Sequence, residues 1–447
     1  MDTIKQASSA LLEQPTTAEQ TSRRNGRRPK EQAVDTGWAW VALAASFVIQ
    51  ILLAGSGIGT SIYFAEFLLD FQQGPILTSW LVASSYAFIS LADPIGSICA
   101  NKFGFRLVIV IGSLIASAGF ILSCFAKNFW LLFVSFGFIT PVGFALVYAP
   151  AFGILALYFD KRKNVATAFV TVGGGVGAFI FPPLHRYMVS TYTWRGSLLL
   201  MAAITAHIIP CALLFSRHIK PPEKKASIAA SADVSLFHKA SFYLLLLQFF
   251  LMAGDDIFVI QSVRFATSVR GISADLAPAI LSSLGLVDSV GRLLAVAISA
   301  NPWSERRTVR FWIVHLTTAA TGLSILFFAW SHTLLLLCVW GGFNGLFLGL
   351  RWSLFPGLQI DLFGAKRFST SWSYGSTMMG IGSLLLPPFG EVLAQFCGNQ
   401  LMPFYAASTF VIGAAACTIV LHLFPPSFNS RKELPLEEKP EAVTIIA

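Results

Sequence analysis

Apolar residues fall into twelve blocks along this chain, at approximately 38–64, 79–100, 107–126, 129–153, 165–189, 196–215, 242–266, 274–300, 311–330, 334–358, 369–394 and 403–424. A helix needs about 20 predominantly apolar residues to cross the hydrocarbon core of a bilayer, and every block reaches that length. The pattern predicts an all-α membrane protein with twelve transmembrane helices. The longest polar connection, 216–240, falls between the sixth and seventh blocks and carries Pro221, Pro222, Lys224 and Lys225 among small residues. It divides the helices six and six, as expected of two related bundles around a site near the midplane. The expected organisation is a polar tail over 1–37, bundles over 38–216 and 241–424, a linker over 217–240 and a second tail over 425–447.

Charge tests the count. With both tails cytoplasmic, the tails and inner loops hold 24 of the 31 Lys and Arg residues, the asymmetry that orients multi-span proteins. Lys127 and Arg270 are the outer exceptions, while Arg186, Arg195, Arg264, Arg292 and Arg351 lie within or at the ends of spans. A missed or extra helix would invert half the loops and destroy the asymmetry. The first 37 residues, with Arg23, Arg24, Arg27, Arg28 and Lys30, contain no apolar run before a small-residue cleavage site. They read as a disordered cytoplasmic tail and not as a signal peptide.

Composition agrees: 55% of residues are hydrophobic and 12% charged, about half the charge of a soluble domain. The formal net charge of +9 does not imply nucleic acid, because the basic residues occupy short gaps between apolar runs and form no aromatic-studded face. The six cysteines lie in or beside apolar stretches without metal-ligand spacing, so packing is their expected role and no metal site is expected. There is no Walker loop, dinucleotide fingerprint or zinc-protease helix. An ATP-driven pump or a soluble enzyme is therefore not expected, and neither is a cofactor.

Ionisable residues inside spans carry the chemistry, since a charge at membrane depth costs about 3 kcal/mol and marks a pathway, a partner or a site. Asp288 and Arg292 stand four apart and share one helix face, where they can pair. The plain alternative is a structural ion pair that locks two helices. Asp255 and Asp256 are adjacent near the middle of the seventh span and diverge by about 100°, so one at most faces a central cavity squarely. They can balance Arg351 or Arg292, or one can hold a proton. Asp93, before Pro94 near the inner end of the second span, suits a gate, and Ser90 lies one turn before it. Tyr63 and Phe64 suit an interfacial aromatic girdle better than the wall of an outer cavity. His185, His207 and His315 are isolated and receive no site. Gly55, Gly57, Gly59, Pro141, Gly173–Gly175 and Pro387–Pro388 interrupt spans, which serves close packing or hinging.

Several motifs then occur in order. Asp35-Thr36-Gly37-Trp38-Ala39-Trp40 precedes the first span, and its tryptophans suit an interfacial anchor. Asn101-Lys102-Phe103-Gly104 follows the second span, Tyr158-Phe159-Asp160-Lys161-Arg162-Lys163-Asn164-Val165-Ala166 the fourth, and Trp194-Arg195-Gly196 precedes the sixth. The eighth contains Val287-Asp288-Ser289-Val290-Gly291-Arg292, and the tenth ends on Asp361-Leu362-Phe363-Gly364 with Arg367-Phe368-Ser369 beyond. From about Asp35 to Phe424 the chain resembles the monocarboxylate transporter family of the major facilitator superfamily.

That resemblance implies the major facilitator fold and alternating-access transport. It gives Arg292 the substrate carboxylate, which a planar guanidinium fork matches, and Asp288 the coupled proton or a gating role. Phe347 matches an aromatic of the family's substrate site. Arg351, one turn later on the same face, stands at a nearby position that is usually small and is expected to face the cavity. The family's proton-coupled lactate carriers have a first-helix lysine where this chain has Ile58, and no Lys or Arg occurs between Trp38 and Asn101.

The expected function is secondary transport of monocarboxylates or related small organic acids, with or without a proton. The substrate-binding set is Arg292, Phe347, Arg351, Ser90 and Ile58, and the coupling or gating set is Asp288, Asp255, Asp256 and Asp93. A second reading is a proton-independent facilitator of aromatic amino acids or other larger organic solutes, and a third is a transport-inactive membrane sensor. The resemblance further implies a plasma-membrane location, and some members travel with a single-span immunoglobulin-type glycoprotein. The expected partners are the lipid bilayer and a small organic acid, with or without a proton, and no nucleic acid.

Overall fold

The computed structural model describes residues 37–159, 163–215 and 234–423. Of the expected tails and linker, all but Gly37 and 234–240 lie outside the described residues, as do Asp35, Thr36, Asp160, Lys161 and Arg162 of the motifs. Eleven helical stretches among the described residues are long and apolar enough to cross a membrane. Ten are single spans: Gly37–Phe71, Gly74–Phe103, Phe105–Cys124, Phe129–Gly153, Ala240–Ser268, Ala279–Ser299, Arg307–Trp330, Leu334–Phe363, Arg367–Cys397 and Met402–Leu423. The other, Ala166–Leu213, is 48 residues long, about twice what a bilayer requires. Thr193, at φ 61° and ψ 172°, breaks it into spans 5 and 6, which makes twelve.

Several boundaries differ from the apolar blocks. Span 1 continues past 64 to Phe71, so Tyr63 and Phe64 are interior residues, 1% and 0% exposed, and not an interfacial girdle. Span 2 begins at Gly74, where a left-handed glycine (φ 81°) followed by Pro75 starts the helix five residues before the apolar block. Helix Leu334–Phe363 runs past its apolar block, and helix Ala365–Cys397 starts directly after Gly364, whose φ of 84° makes the turn.

Each bundle has its own apolar core. One cluster is formed by spans 1 to 6 and two mainly by the C-terminal spans, one of which also takes in Ile58 and Ala178 of the first bundle. The bundles meet along two seams of small residues. In the first, Gly175 of span 5 faces span 8 so closely that a Cβ there would lie 2.8 Å from both the Gly285 carbonyl oxygen and the Ser289 nitrogen. In the second, Gly380 of span 11 approaches the Ala87 carbonyl of span 2, and Ser376 Oγ donates to the Ser90 carbonyl at 3.3 Å. Small residues let helix backbones approach where lipid supplies no hydrophobic drive. Gly285→Leu, which would also collide with Ala178 and Phe179, is expected to insert normally yet lose at least about nine-tenths of transport. Surface-normalised uptake checks this.

Spans 1 and 7 each tighten locally without leaving the right-handed helical region, at Gly59 (φ −65°, ψ −16°) and at Ala253 (φ −64°, ψ −7°). Helix Gly37–Ile58 gives way to Thr60–Phe71 at Gly59, and Ala240–Met252 to Gly254–Ser268 at Ala253. At Gly59 only a hydrogen fits, because the His185 ring fills the place of a side chain. The two outer half-helices pack together across the bundle interface. Phe64, Val82, Ala83 and Ile260 are buried there, and the Arg264 guanidinium lies 5.1 Å from the Phe64 ring centre. Nearer the outer surface, Arg186 of span 5 donates to Asp275 of the 7–8 connection at 2.9 Å and lies 3.6 Å from Glu66. The outer side is therefore closed.

Candidate functional site

Two buried ion pairs stand on opposite sides of span 10. In the first, Arg292 Nε donates to Asp288 Oδ2 at 2.7 Å, the one-turn pairing that the spacing predicts. The Asp288 side chain is 5% exposed and that of Arg292 20%, so the carboxylate is sealed while the guanidinium retains an accessible edge. Asp288 Oδ1 has no hydrogen-bond partner. Gly349 of span 10 makes room for this oxygen, since a Cβ there would lie 2.9 Å from it. Tyr148 of span 4, 40% exposed, lies within electrostatic reach of both Arg292 and Asp93. Asp93 Oδ1 is buried without a partner. The first pair thus faces an acid and a phenol of the opposite bundle on the inner half of the molecule.

The second pair lies deeper. Arg351 is 0% exposed and donates through Nη2 to Asp255 Oδ2 of span 7. Arg351 is two residues beyond Gly349, about 200° around the helix, so it points away from Asp288. The expectation that it faces an open cavity is not met in this conformation: Asp255 covers it. Arg351 Nε and Nη1 and Asp255 Oδ1 have no partners. Asp256 turns the other way and accepts a hydrogen bond from Ser383 Oγ of span 11. Both acids lie in the turn that follows Ala253, within span 7. Tyr86 of span 2 lies within electrostatic reach of Asp256. Its hydroxyl donates to the Gly57 carbonyl at 3.0 Å and lies 3.2 Å from Thr60 Oγ1, beside the tightened turn in span 1.

The remaining expected residues are placed as follows. Ile58 is 8% exposed and belongs to an apolar cluster with Ala253, Ile257 and Phe258 across the bundle interface. The position of the family lysine is therefore buried and apolar. Phe347 is half-buried and stacks on Phe343 at 6.3 Å between ring centres. Ser90 is half-buried, and its carbonyl bridges the bundles through Ser376. His185, given no site from the sequence, is 0% exposed and bonds Tyr63 Oη at 3.0 Å, which in turn lies 2.7 Å from Ser197 Oγ.

Sequence reasoning missed Ser383, Tyr86, Thr60, Tyr148 and Gly349. Only Gly349 left a signal, since Gly341, Gly345 and Gly349 recur at every fourth residue, the spacing of a close helix contact. The hydroxyl residues come from four different spans, and no spacing relates them.

Two six-helix bundles packed on small-residue seams, closed at one end, with ion pairs buried at mid-depth, define a secondary carrier. The Major Facilitator Superfamily model matches residues 44–311 and 294–446, and the chain belongs to that superfamily. It is 27% identical over 409 residues to human monocarboxylate transporter 11, covering 88% of this chain and 85% of the relative. It is 28% identical over 399 residues to monocarboxylate transporter 13 of Rattus norvegicus, with 87% and 90% covered. Monocarboxylate transporter 12-B of Danio rerio is 27% identical over 426 residues, with 87% of each chain covered. These relatives agree with the resemblance carried by the motifs. The protein is a multi-pass membrane transporter and not an enzyme.

Proposed function

We propose that the chain carries small organic acids across the plasma membrane by alternating access, with Arg292 as the carboxylate site and Asp288 as its coupling or gating partner. The observation that supports this best is the Asp288–Arg292 pair itself. Its acid is buried with one oxygen unpartnered, and its guanidinium is one-fifth exposed. A substrate carboxylate competes with Asp288 for the guanidinium fork, and the displaced Asp288 takes a proton or shifts toward a donor in the opposite bundle. In this reading Asp93 and Tyr148, on the opposite bundle, sense that exchange. Ser90 and Phe347 line the path in this reading. An ancillary single-span glycoprotein is compatible with it and is not required by it.

A second reading is favoured by Ile58. With no first-span cation, and with an apolar contact in its place, the site loses a group with which lactate carriers of the family handle the substrate and its proton. A facilitator of larger organic solutes without proton coupling fits that change.

Counterflow in proteoliposomes separates these readings. Labelled pyruvate or lactate and a panel of aromatic acids are compared at two pH values. Acid-stimulated exchange of the small acids supports the first reading, and pH-independent exchange of bulky solutes the second. Ligand binding without any counterflow would leave only a sensor.

A further inference from the structure

Opening of the outer side has to break the contacts that close it, and one of these is charged. Arg186 of span 5 stands between two carboxylates. Its Nε donates to Asp275 Oδ1 at 2.9 Å, a charge-assisted hydrogen bond. Its Nη1 lies 3.6 Å from Glu66 Oε1 of span 1, within Coulomb reach but beyond a hydrogen bond. The two acids belong to different bundles. Glu66 travels with Arg186, whereas Asp275, on the 7–8 connection, travels with the second bundle. The neighbouring outer pairs Arg195–Asp70 and Arg264–Glu391 each stay within one bundle. Phe64 covers Arg264 from the opposite bundle, and when it withdraws Arg264 keeps Glu391, whose side chain is 2% exposed. Separation of the bundles therefore strips an acid from Arg186 alone among these three arginines.

We infer that Arg186 is an exchange latch on the outer gate: it bonds Asp275 while the outer side is closed and passes to Glu66 when the outer side opens. A guanidinium that is largely buried and left without a carboxylate would oppose opening. Glu66 removes that cost, because it waits beside Arg186 on the same bundle and a side-chain rotation completes the bond. The two acids then act with opposite signs on one equilibrium. Asp275 stabilises the closed state and Glu66 the open one. A fixed salt bridge in which Glu66 only braces Arg186 gives both acids the same sign, since loss of either carboxylate loosens the guanidinium. The Asp275 side chain is 74% exposed, so water and salt screen its bond and the effect is moderate. A bond of that strength closes the outer side and is still broken and remade on every cycle. This inference rests on the proposed alternating-access cycle and specifies how its outer gate is set.

The test reads how often the outer interface opens. Ile260 is buried with Phe64, Val82 and Ala83 in that interface. In an Ile260→Cys protein in proteoliposomes, a membrane-impermeant maleimide added outside labels this cysteine when the outer side opens, and mass spectrometry of its peptide separates it from the native cysteines. Adding Asp275→Asn is expected to raise the labelling rate about two- to fivefold and adding Glu66→Gln to lower it by a similar factor, the range an exposed pair supports. Raising the ionic strength from about 0.1 M to about 1 M shortens the screening length from about 10 Å to about 3 Å. This is expected to speed labelling in the Ile260→Cys protein and much less in its Asp275→Asn derivative, and it needs no substitution at the latch. Unchanged or faster labelling with Glu66→Gln overturns the exchange. Labelling that neither Asp275→Asn nor salt alters overturns the latch altogether. Both results leave the carrier reading standing. That reading falls instead if the wild type exchanges neither pyruvate nor the aromatic acids, and labelling at position 260 needs no substrate.

Discussion

Arg351→Met is expected to destabilise the protein by about 3–5 kcal/mol, the usual cost of leaving one member of a buried ion pair without its partner. The Arg351 guanidinium is wholly buried and the Asp255 carboxylate nearly so, so neither water nor a neighbouring cation can replace what is lost. Asp256, one residue away, adds a like charge to the stranded acid. The double variant Arg351→Met/Asp255→Leu removes both charges and fills their volume with apolar groups, an exchange that is often neutral or stabilising. It is therefore expected to recover most of the loss while remaining transport-defective. Thermal unfolding in detergent reads both, with a fall on the order of 5–10 °C for the single variant. A single variant as stable as the wild type would mean that Asp255 does not depend on Arg351 for its stability.

This contrast between stability and transport bears on what the sequence can reveal. The helices were legible because a bilayer imposes one length and one composition on every span, and the charged gaps between them fixed the count. The break at Thr193 was legible as well, because it falls in the polar gap between the fifth and sixth apolar blocks. Asp288 and Arg292 were legible as a pair because four residues on a helix make neighbours. Arg351 and Asp255 stand 96 residues apart in the chain. Their pairing depends on how spans 7 and 10 are rotated, and hydropathy does not encode that rotation.

Ile58 shows the same limit from the other side. The missing lysine was visible, but the sequence did not show that the position would be buried in an apolar cluster drawn from both bundles. Once it is, the first bundle contributes hydroxyls and aromatic groups to the interface, from Thr60, Tyr86 and Tyr148, while both guanidinium–carboxylate pairs belong to the second bundle. In the proposed cycle the guanidinium–carboxylate pairs lie in spans 7, 8 and 10, and Asp93 is the acid that the first bundle brings toward them.

Arg292→Ala is expected to lower transport at least about 100-fold, because two charge-assisted hydrogen bonds to a carboxylate, each worth about 1.5–3 kcal/mol, are removed together. The loss should fall on substrate carrying a carboxylate and not on folding alone, since the arginine side chain is one-fifth exposed and its partner Asp288 sits on the same helix. Arg292→Lys keeps the charge but not the planar fork, so it should restore a fraction of the rate with weaker apparent affinity. Asp288→Asn leaves Arg292 without its internal competitor. It should bind substrate at least as tightly as the wild type and turn over more slowly, because the group that displaces the substrate has lost its charge. Counterflow rates and equilibrium binding, measured on the same reconstituted proteins, separate the two effects. Wild-type exchange by Arg292→Ala would place the carboxylate elsewhere, and Arg351 is the buried guanidinium left to receive it.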